Sequence, residues 1–315
     1  MTANRFKYVY GPVASRRLGR SLGVDLVPFK TCTYDCIYCQ LGHTTHQTIR
    51  LDEYVPVEDL LAEVKLKLIG PLLPDYVSLA GSGEPTLHSG IADVIRGIKR
   101  MTSVPVAVIT NGSMLWSRSV QESLMEADLL LPSLDAGDAV RFQQVNRPHP
   151  KIEFEPMVNG IAEFNRRFHK PVWLEVFLLE GITGIPEEVE RIAAWTRKMK
   201  LPKVQLNTVS RPPCEDDALP VPPERLEALA ALFDPPAEVI SDAIVGRGPS
   251  VAASSVTDAD ILALIRIRPC TVEGVAAGLG LHHHESAKRL AALCNQGAAV
   301  AVRRENAVFY ETMRG

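Results

Sequence analysis

Cys32, Cys36 and Cys39 follow one another as C-x3-C-x2-C, and Tyr38 stands directly before the third. Thiolates at this density point to a metal or a cluster. Structural zinc takes four ligands, so a zinc site here needs His43 or His46 as its fourth. A [4Fe-4S] cluster held by three thiolates keeps one iron open, and an open iron can bind and reduce a further molecule. That reading accounts for a set of three. Cys214, Cys270 and Cys294 are scattered along the chain and read as small buried or incidental thiols.

Other polar residues fall on expected strands or just beyond their ends. Side chains alternate along a strand. Ser133 and Asp135 therefore share one face of a strand, and Gln205 and Asn207 share one face of another. Glu175 falls mid-strand among Trp173, Phe177 and Leu179, where a charge is costly unless it is paired or binds a ligand. Arg16, Arg17 and Arg20 precede the first strand and suit a phosphate or carboxylate as well as a solvated basic face. Arg147, His149 and Arg211 follow later strands and are weaker candidates for substrate contacts. His282–His284 read as surface, because adjacent histidines on a helix do not converge on one metal.

The elements that must hold these residues alternate. Short apolar strands are expected at Leu22–Phe29, Tyr76–Gly81, Val104–Asn111, Ala127–Asp135, Val172–Leu179 and Val204–Val209. Helical patterns separate them at Pro56–Ile69, Ile91–Met101, Ser117–Glu126, Phe154–Phe168, Pro186–Met199 and Pro223–Leu232, several opened by proline and acidic residues. This is an α/β pattern, a parallel sheet wrapped by helices. A flat doubly wound sheet and a curved partial barrel both satisfy it. Residues 1–235 form this unit. Residues 236–255 are rich in Pro, Gly and Ser and read as a linker with room for one strand. Residues 256–315 read as three helices and a two-stranded hairpin about Glu305–Asn306, the layout of a winged helix-turn-helix domain.

The bulk numbers restrict the function classes. The chain has 315 residues, 46% apolar and 23% charged, with a net charge of −3. No broad basic field advertises nucleic acid. No apolar run approaches the roughly 20 residues of a membrane helix, and no secretory segment is visible at the N-terminus. A cytoplasmic protein is expected, in a compartment where thiols stay reduced.

The cysteine stretch TCTYDCIYCQLG resembles the signature of the radical S-adenosylmethionine (SAM) superfamily. AGSGEPTLH resembles that family's Gly-Gly-Glu segment, with Ser82 in place of one glycine, and ITNGS, PSLDA and VQLNTVSRP close later strands. The resemblance implies a partial (β/α)6 barrel, a [4Fe-4S] cluster and SAM. It implies that SAM chelates the open iron through its amino and carboxylate groups. An electron from the cluster then cleaves a sulfur–carbon bond, and the 5′-deoxyadenosyl radical abstracts hydrogen from a substrate. An electron donor such as flavodoxin or ferredoxin is implied as a partner.

By position, Cys32, Cys36 and Cys39 would ligate iron, and Tyr38 would flank the adenine. The segment with Gly81, Gly83 and Glu84 would accept the SAM ammonium, with Glu84 fixing the loop. Asn111, Ser133, Asp135, Glu175 and Asn207 would contact SAM or substrate; a structural ion pair is the other account of Glu175.

Within the superfamily, GPVASRRLGRSLGVDLVPFKTCTYDCIYCQLG, SLDAGDAVRFQQVNRPHP and VQLNTVSRP are similar to iron–sulfur proteins of the tRNA wyosine-forming synthase group. Those synthases carry a second cysteine set ahead of the first, and no cysteine precedes Cys32 here. The expectation is therefore radical SAM chemistry on another substrate, with RNA, a protein or a small metabolite as candidates. The rival reading is a DNA-binding regulator that senses redox state through an iron–sulfur cluster. A sensor needs no SAM pocket, so the strand-end segments count against it. Residues 250–315 carry seven basic and six acidic residues, too little cationic excess for tight duplex DNA binding. That unit is expected to present substrate or partner, and to be dispensable for SAM cleavage because every expected ligand lies upstream.

Overall fold

Val9–Ser15 (β1) and Gly19–Val24 (β2) pair antiparallel and open the architecture. A computed structural model of the protein describes residues 6–69, 73–240, 256–304 and 307–313. After the hairpin, Thr31–Cys32 (β3) and His46–Gln47 (β4) make a short parallel pair that closes the cysteine loop. Helices and strands then alternate: Val57–Leu68 (α1), Tyr76–Leu79 (β5), Ile91–Met101 (α2), Val106–Thr110 (β6), Arg118–Ser123 (α3) and Leu129–Pro132 (β7). Two helices follow, Ala139–Val145 (α4) and Phe154–Arg167 (α5). Trp173–Leu178 (β8), Pro186–Met199 (α6), Lys203–Thr208 (β9), Pro223–Ala230 (α7) and Glu238–Val239 (β10) complete the unit.

The sheet order is β1-β2-β5-β6-β7, and β8, β9 and β10 continue it through the parallel bridges Leu130–Val172 and Ser133–Glu175. All pairs from β2 onward are parallel. The wall is curved. Arg17, at the tip of the β1–β2 hairpin, reaches Glu175 on β8. Four strand spacings of roughly 4.8 Å would separate β2 from β8 in a flat sheet, far beyond an arginine side chain. Curling brings the two edges together and settles the choice in favour of the partial barrel. Its outer face packs on the helices: Leu60 and Val64 of α1 and Ile91, Val94 and Ile95 of α2 are fully buried in one core with Val77, Leu79, Val106 and Val108.

A second core belongs to the C-terminal elements, Asp258–Ile267 (α8), Val272–Leu279 (α9), His283–Asn295 (α10) and the antiparallel pair Ala299–Arg304 (β11) and Ala307–Thr312 (β12). Local chemistry sets the ends. Thr257 and Asp260 form a reciprocal capping box at the start of α8, and Gly280 takes the left-handed conformation that stops α9. The core is not private to these elements. Tyr10 and Val13 of β1 are buried in it with Ile261, Leu264, Val275 and Leu290, and the Cα of Gly278 faces β1 so closely that a side chain there would meet the Ala14 nitrogen at 3.4 Å.

Two expectations need correction. The strand expected at Leu22–Phe29 is Gly19–Val24 (β2), and just beyond it the Asp25 side chain bonds the loop at Ser82. β1 was not anticipated, since Gly11 and Pro12 interrupt its pattern. The segment read as a linker with room for one strand holds β10, which pairs with β9; residues 241–255 and the turn at Glu305–Asn306 lie outside the described residues. Among the described residues, no helix is long and apolar enough to cross a membrane.

Candidate active site

A cavity of about 400 Å3 opens at the C-terminal ends of the parallel strands, and all three thiols of Cys32, Cys36 and Cys39 line it. Each sulfur has its own side-chain N–H donor. Asn111 Nδ2 lies 3.6 Å from Cys32 Sγ, Asn146 Nδ2 3.5 Å from Cys36 Sγ, and Lys30 Nζ 3.2 Å from Cys39 Sγ. Burial pushes the Cys32 thiol up to about 12 and holds Cys36 well above its ordinary value. A bound cation reverses that preference, because a coordinating thiol loses its proton outright.

The donor set suits a cluster rather than a single ion. Each thiolate of a cubane takes a different iron, so the ligands must share a cavity and not converge on a point. Among the described residues no three His, Cys, Asp or Glu are gathered at one ion position. His43 and His46 do not line the cavity; the His43 ring lies 3.1 Å from Asp35 Oδ2, and His46 is exposed.

The segment after β5 lies tightly against its surroundings. A Cβ on Gly83 would lie 1.8 Å from the Thr31 carbonyl, and one on Gly81 would lie 2.7 Å from Asp25 Oδ1, so both positions need glycine for close approach. The Ser82 amide donates to Asp25 Oδ1 at 2.9 Å, and the Ser82 hydroxyl donates to the other carboxylate oxygen. Glu84 is 2% exposed, and its carboxylate is occupied. Thr110 Oγ1 donates to Oε1 at 2.6 Å, Thr86 N to Oε1 at 3.0 Å, and Asn111 N to Oε2 at 2.8 Å. Glu84 ties the loop to the end of β6.

Asp135 lies behind the cavity wall, not on it. The alternation that pairs it with Ser133 ends with β7 at Pro132, so Ser133 faces the cavity and Asp135 does not. Asp135 instead accepts from Tyr38 Oη at 2.5 Å, Asn146 Nδ2 at 2.9 Å and Phe177 N at 3.0 Å. Burial raises its pKa to about 6 against those bonds. The Tyr38 ring stacks on Phe177 with centroids 4.2 Å apart, and both rings line the cavity.

Glu175 carries both of its expected accounts at once. It lines the cavity and is ion-paired to Arg17, with Asn207 Nδ2 donating to its other oxygen at 2.8 Å. Burial alone would raise its pKa; the Arg17 charge and the Asn207 bond outweigh that and hold it below the ordinary value.

The remaining candidates divide. Arg16, Arg17 and Arg211 line the cavity. Arg20 does not; it bonds the Leu73 carbonyl outside. Arg147 is paired with Glu215, and His149 is not on the cavity. His282 is the N-cap of α10. Ile267 and Arg268, at the end of α8, line the same cavity. The C-terminal unit therefore contributes directly to the cavity wall, while every residue expected to ligate the cluster or SAM lies upstream of it.

The family model of the Radical SAM superfamily matches residues 26–196. The chain belongs to the radical SAM superfamily. It is 29% identical to a UPF0026 protein of Methanocaldococcus jannaschii over 309 residues, 96% of this chain and 94% of that one. It is 39% identical over 276 residues to a Brachyspira hyodysenteriae protein named GTPase Obg, covering 86% of this chain but only 40% of that protein's length. The structure titled native anSMEcpe with bound AdoMet aligns with a TM-score of 0.51 at 17% identity, covering 68% of this chain and 59% of that one. At that identity the likeness concerns the fold, and it is the radical SAM α/β fold.

Residues that sequence reading passed over line this cavity or support its wall. Lys30, 3% exposed, adjoins the cysteine stretch, and Asn146 lies within the SLDAGDAVRFQQVNRPHP segment; both were within reach of a motif reading. Phe177, known only as an apolar strand neighbour, and Arg268, distant in sequence, left no local signal.

Proposed function

We propose that this chain is a radical SAM enzyme in which Cys32, Cys36 and Cys39 hold a [4Fe-4S] cluster and the cavity binds SAM. The observation that carries the reading is the convergence of three thiols, each with one N–H donor, on the cavity that the strand ends enclose. When bound, the cluster supplies the electron that cleaves SAM reductively to give a 5′-deoxyadenosyl radical. The chain's own residues bind and orient. The Tyr38–Phe177 stack provides a flat apolar wall for an adenine, and Asp135 and Asn146 hold the Tyr38 ring in place. Carbonyls of the Gly81–Glu84 segment accept the SAM ammonium. Asn111, Ser133 and Asn207 face the cavity for hydroxyl or carboxylate contacts.

The C-terminal helices and hairpin act as a winged-helix-type unit that closes the mouth of the site. The relation to the wyosine-forming synthase group extends to the radical chemistry, carried out in the cytoplasm on a different substrate, with electrons from a donor such as flavodoxin or ferredoxin. RNA and protein substrates are both open to a cavity of this kind. The test is anaerobic reconstitution with iron and sulfide followed by SAM and dithionite. The expected product is 5′-deoxyadenosine; reconstituted, reducible protein that leaves SAM intact overturns the proposal.

A further inference from the structure

We propose that Lys30 sets the reduction potential of the cluster, its buried ammonium acting on the Cys39 sulfur to favour the reduced form. This deepens the reading of the chain as a radical SAM enzyme and rests on it. Lys30 acts through Cys39 and is therefore a positioning residue, not a ligand.

The three sulfur donors are not equivalent. Asn111 Nδ2 lies 2.7 Å from Thr33 Oγ1 and 3.6 Å from Cys32 Sγ, so its shorter contact goes elsewhere. Asn146 Nδ2 lies 2.9 Å from Asp135 Oδ2 and 3.3 Å from Tyr38 Oη, both nearer than Cys36 Sγ at 3.5 Å. Both amides are neutral. Lys30 carries a full charge, and Nζ lies 3.2 Å from Cys39 Sγ, with no other hydrogen-bond or ion-pair partner for that nitrogen among the described residues.

The backbone holds Lys30 in this place at a cost. Its amide donates to the Ser82 carbonyl at 2.8 Å, and its carbonyl accepts from the His46 amide at 3.1 Å. Between these two bonds φ is +58°, the left-handed region that a residue with a Cβ disfavours. Glycine would take the same turn freely. Lys30 is also 3% exposed. A strained backbone and a buried charge at one position persist together where the ammonium has an anion to face.

The cluster and its thiolates supply that anion. Three thiolates leave the assembly anionic, and reduction adds a further negative charge. An ammonium beside one of the sulfurs attracts the reduced form more strongly than the oxidised form, and out of water the difference is weakly screened. Local charge and hydrogen bonds to sulfur are among the levers that set cluster potentials. The step is a one-electron transfer. The external donor loses the electron, the cluster gains it, and Lys30 keeps its protons and forms no bond. Lys30 thus makes the cluster easier for that donor to reduce.

The test is a potentiometric titration of anaerobically reconstituted, SAM-free protein at fixed pH. Dithionite is the reductant, and the electron paramagnetic resonance of the reduced cluster is the readout. Lys30→Met and Lys30→Gln both remove the charge, and glutamine keeps an N–H donor. In each, at native iron content, the equilibrium should move against the reduced form at least ten-fold, about 59 mV for one electron. A smaller shift in either iron-loaded variant overturns the proposal. If Lys30→Met fails to take up iron, Lys30→Gln decides. Loss of iron from both also overturns it, because Lys30 would then hold the loop and not tune the electron. Native protein without a cluster signal would count against the enzyme reading itself; a native cluster with unshifted variants would count against Lys30 alone.

Discussion

On the barrel side of the cavity, Glu84, Asp135 and Glu175 are each under 10% exposed, and both oxygens of each carboxylate are held by named donors. On the opposite side, Ile267 and Arg268 are carried by a unit that joins the barrel through an apolar contact, Tyr10 and Val13 of β1 set among Ile261, Leu264 and Val275. A few polar links add to it: Lys67 to Asp260 at 2.7 Å, Arg266 to the Lys7 carbonyl and Arg268 to the Ala14 carbonyl. Buried polar networks fix geometry tightly, because any lost partner strands a donor or acceptor. Apolar contact fixes proximity with less demand on angle. The cluster side is thus built for exact placement, and the C-terminal side for docking. The difference suits a site in which one wall must hold a reactive cofactor still while the other admits substrate.

The comparison breaks first at the thiols. Cys36→Ala removes one of three ligands, and iron in reconstituted protein should drop from about four per chain, the content of one cubane, to near zero by colorimetric assay. Retention of stoichiometric iron would mean that the three cysteines do not act together.

Truncation after residue 255 tests the docked side. It would uncover Tyr10 and Val13, each 8% exposed in the full chain, and each side chain is worth about 1.5–3 kcal/mol of burial. The truncated protein should melt well below the full chain and aggregate. If it melts where the full chain does, β1 does not depend on the second core.

Arg17→Met leaves Glu175 buried without its cation and should cost about 3–5 kcal/mol by denaturant unfolding. Adding Glu175→Gln should restore much of that. No recovery would show that Arg17 acts through something other than this pair.

A smaller effect is expected at Asp25, whose carboxyl is driven by burial from an ordinary value of 3.8 to about 6. Folded protein then holds the proton more tightly than unfolded protein. The associated stability is fully present below about pH 4 and is lost as pH rises through 6, at most about 3 kcal/mol. Asp25→Asn should flatten that part of the melting-temperature profile; an unchanged slope would remove Asp25 as its cause.

The sequence displayed the cluster side more fully than the docked side, for physical reasons. C-x3-C-x2-C is a local arrangement, and the barrel helices carry a regular apolar period, so Cys32–Cys39 and helices such as Pro186–Met199 were legible directly. The C-terminal helices announced themselves through Thr257, Gly280 and Gly297. Pairings such as Arg17 with Glu175, 158 residues apart, have no period and no spacing. The same holds for Arg268 reaching Ala14, and for Asp135 turning away from the cavity once β7 had ended. β1 was concealed by Gly11 and Pro12, which mark a break in most strands but here lie inside one.

The most direct measurement is the electron paramagnetic resonance spectrum of reduced, reconstituted protein before and after SAM. If three thiolates hold the cluster and the fourth iron is open to SAM, one cluster signal should be present and SAM should shift it, and the shift should vanish together with the signal in Cys36→Ala. A cluster signal that SAM leaves unchanged, or colourless protein holding stoichiometric zinc, would contradict the account.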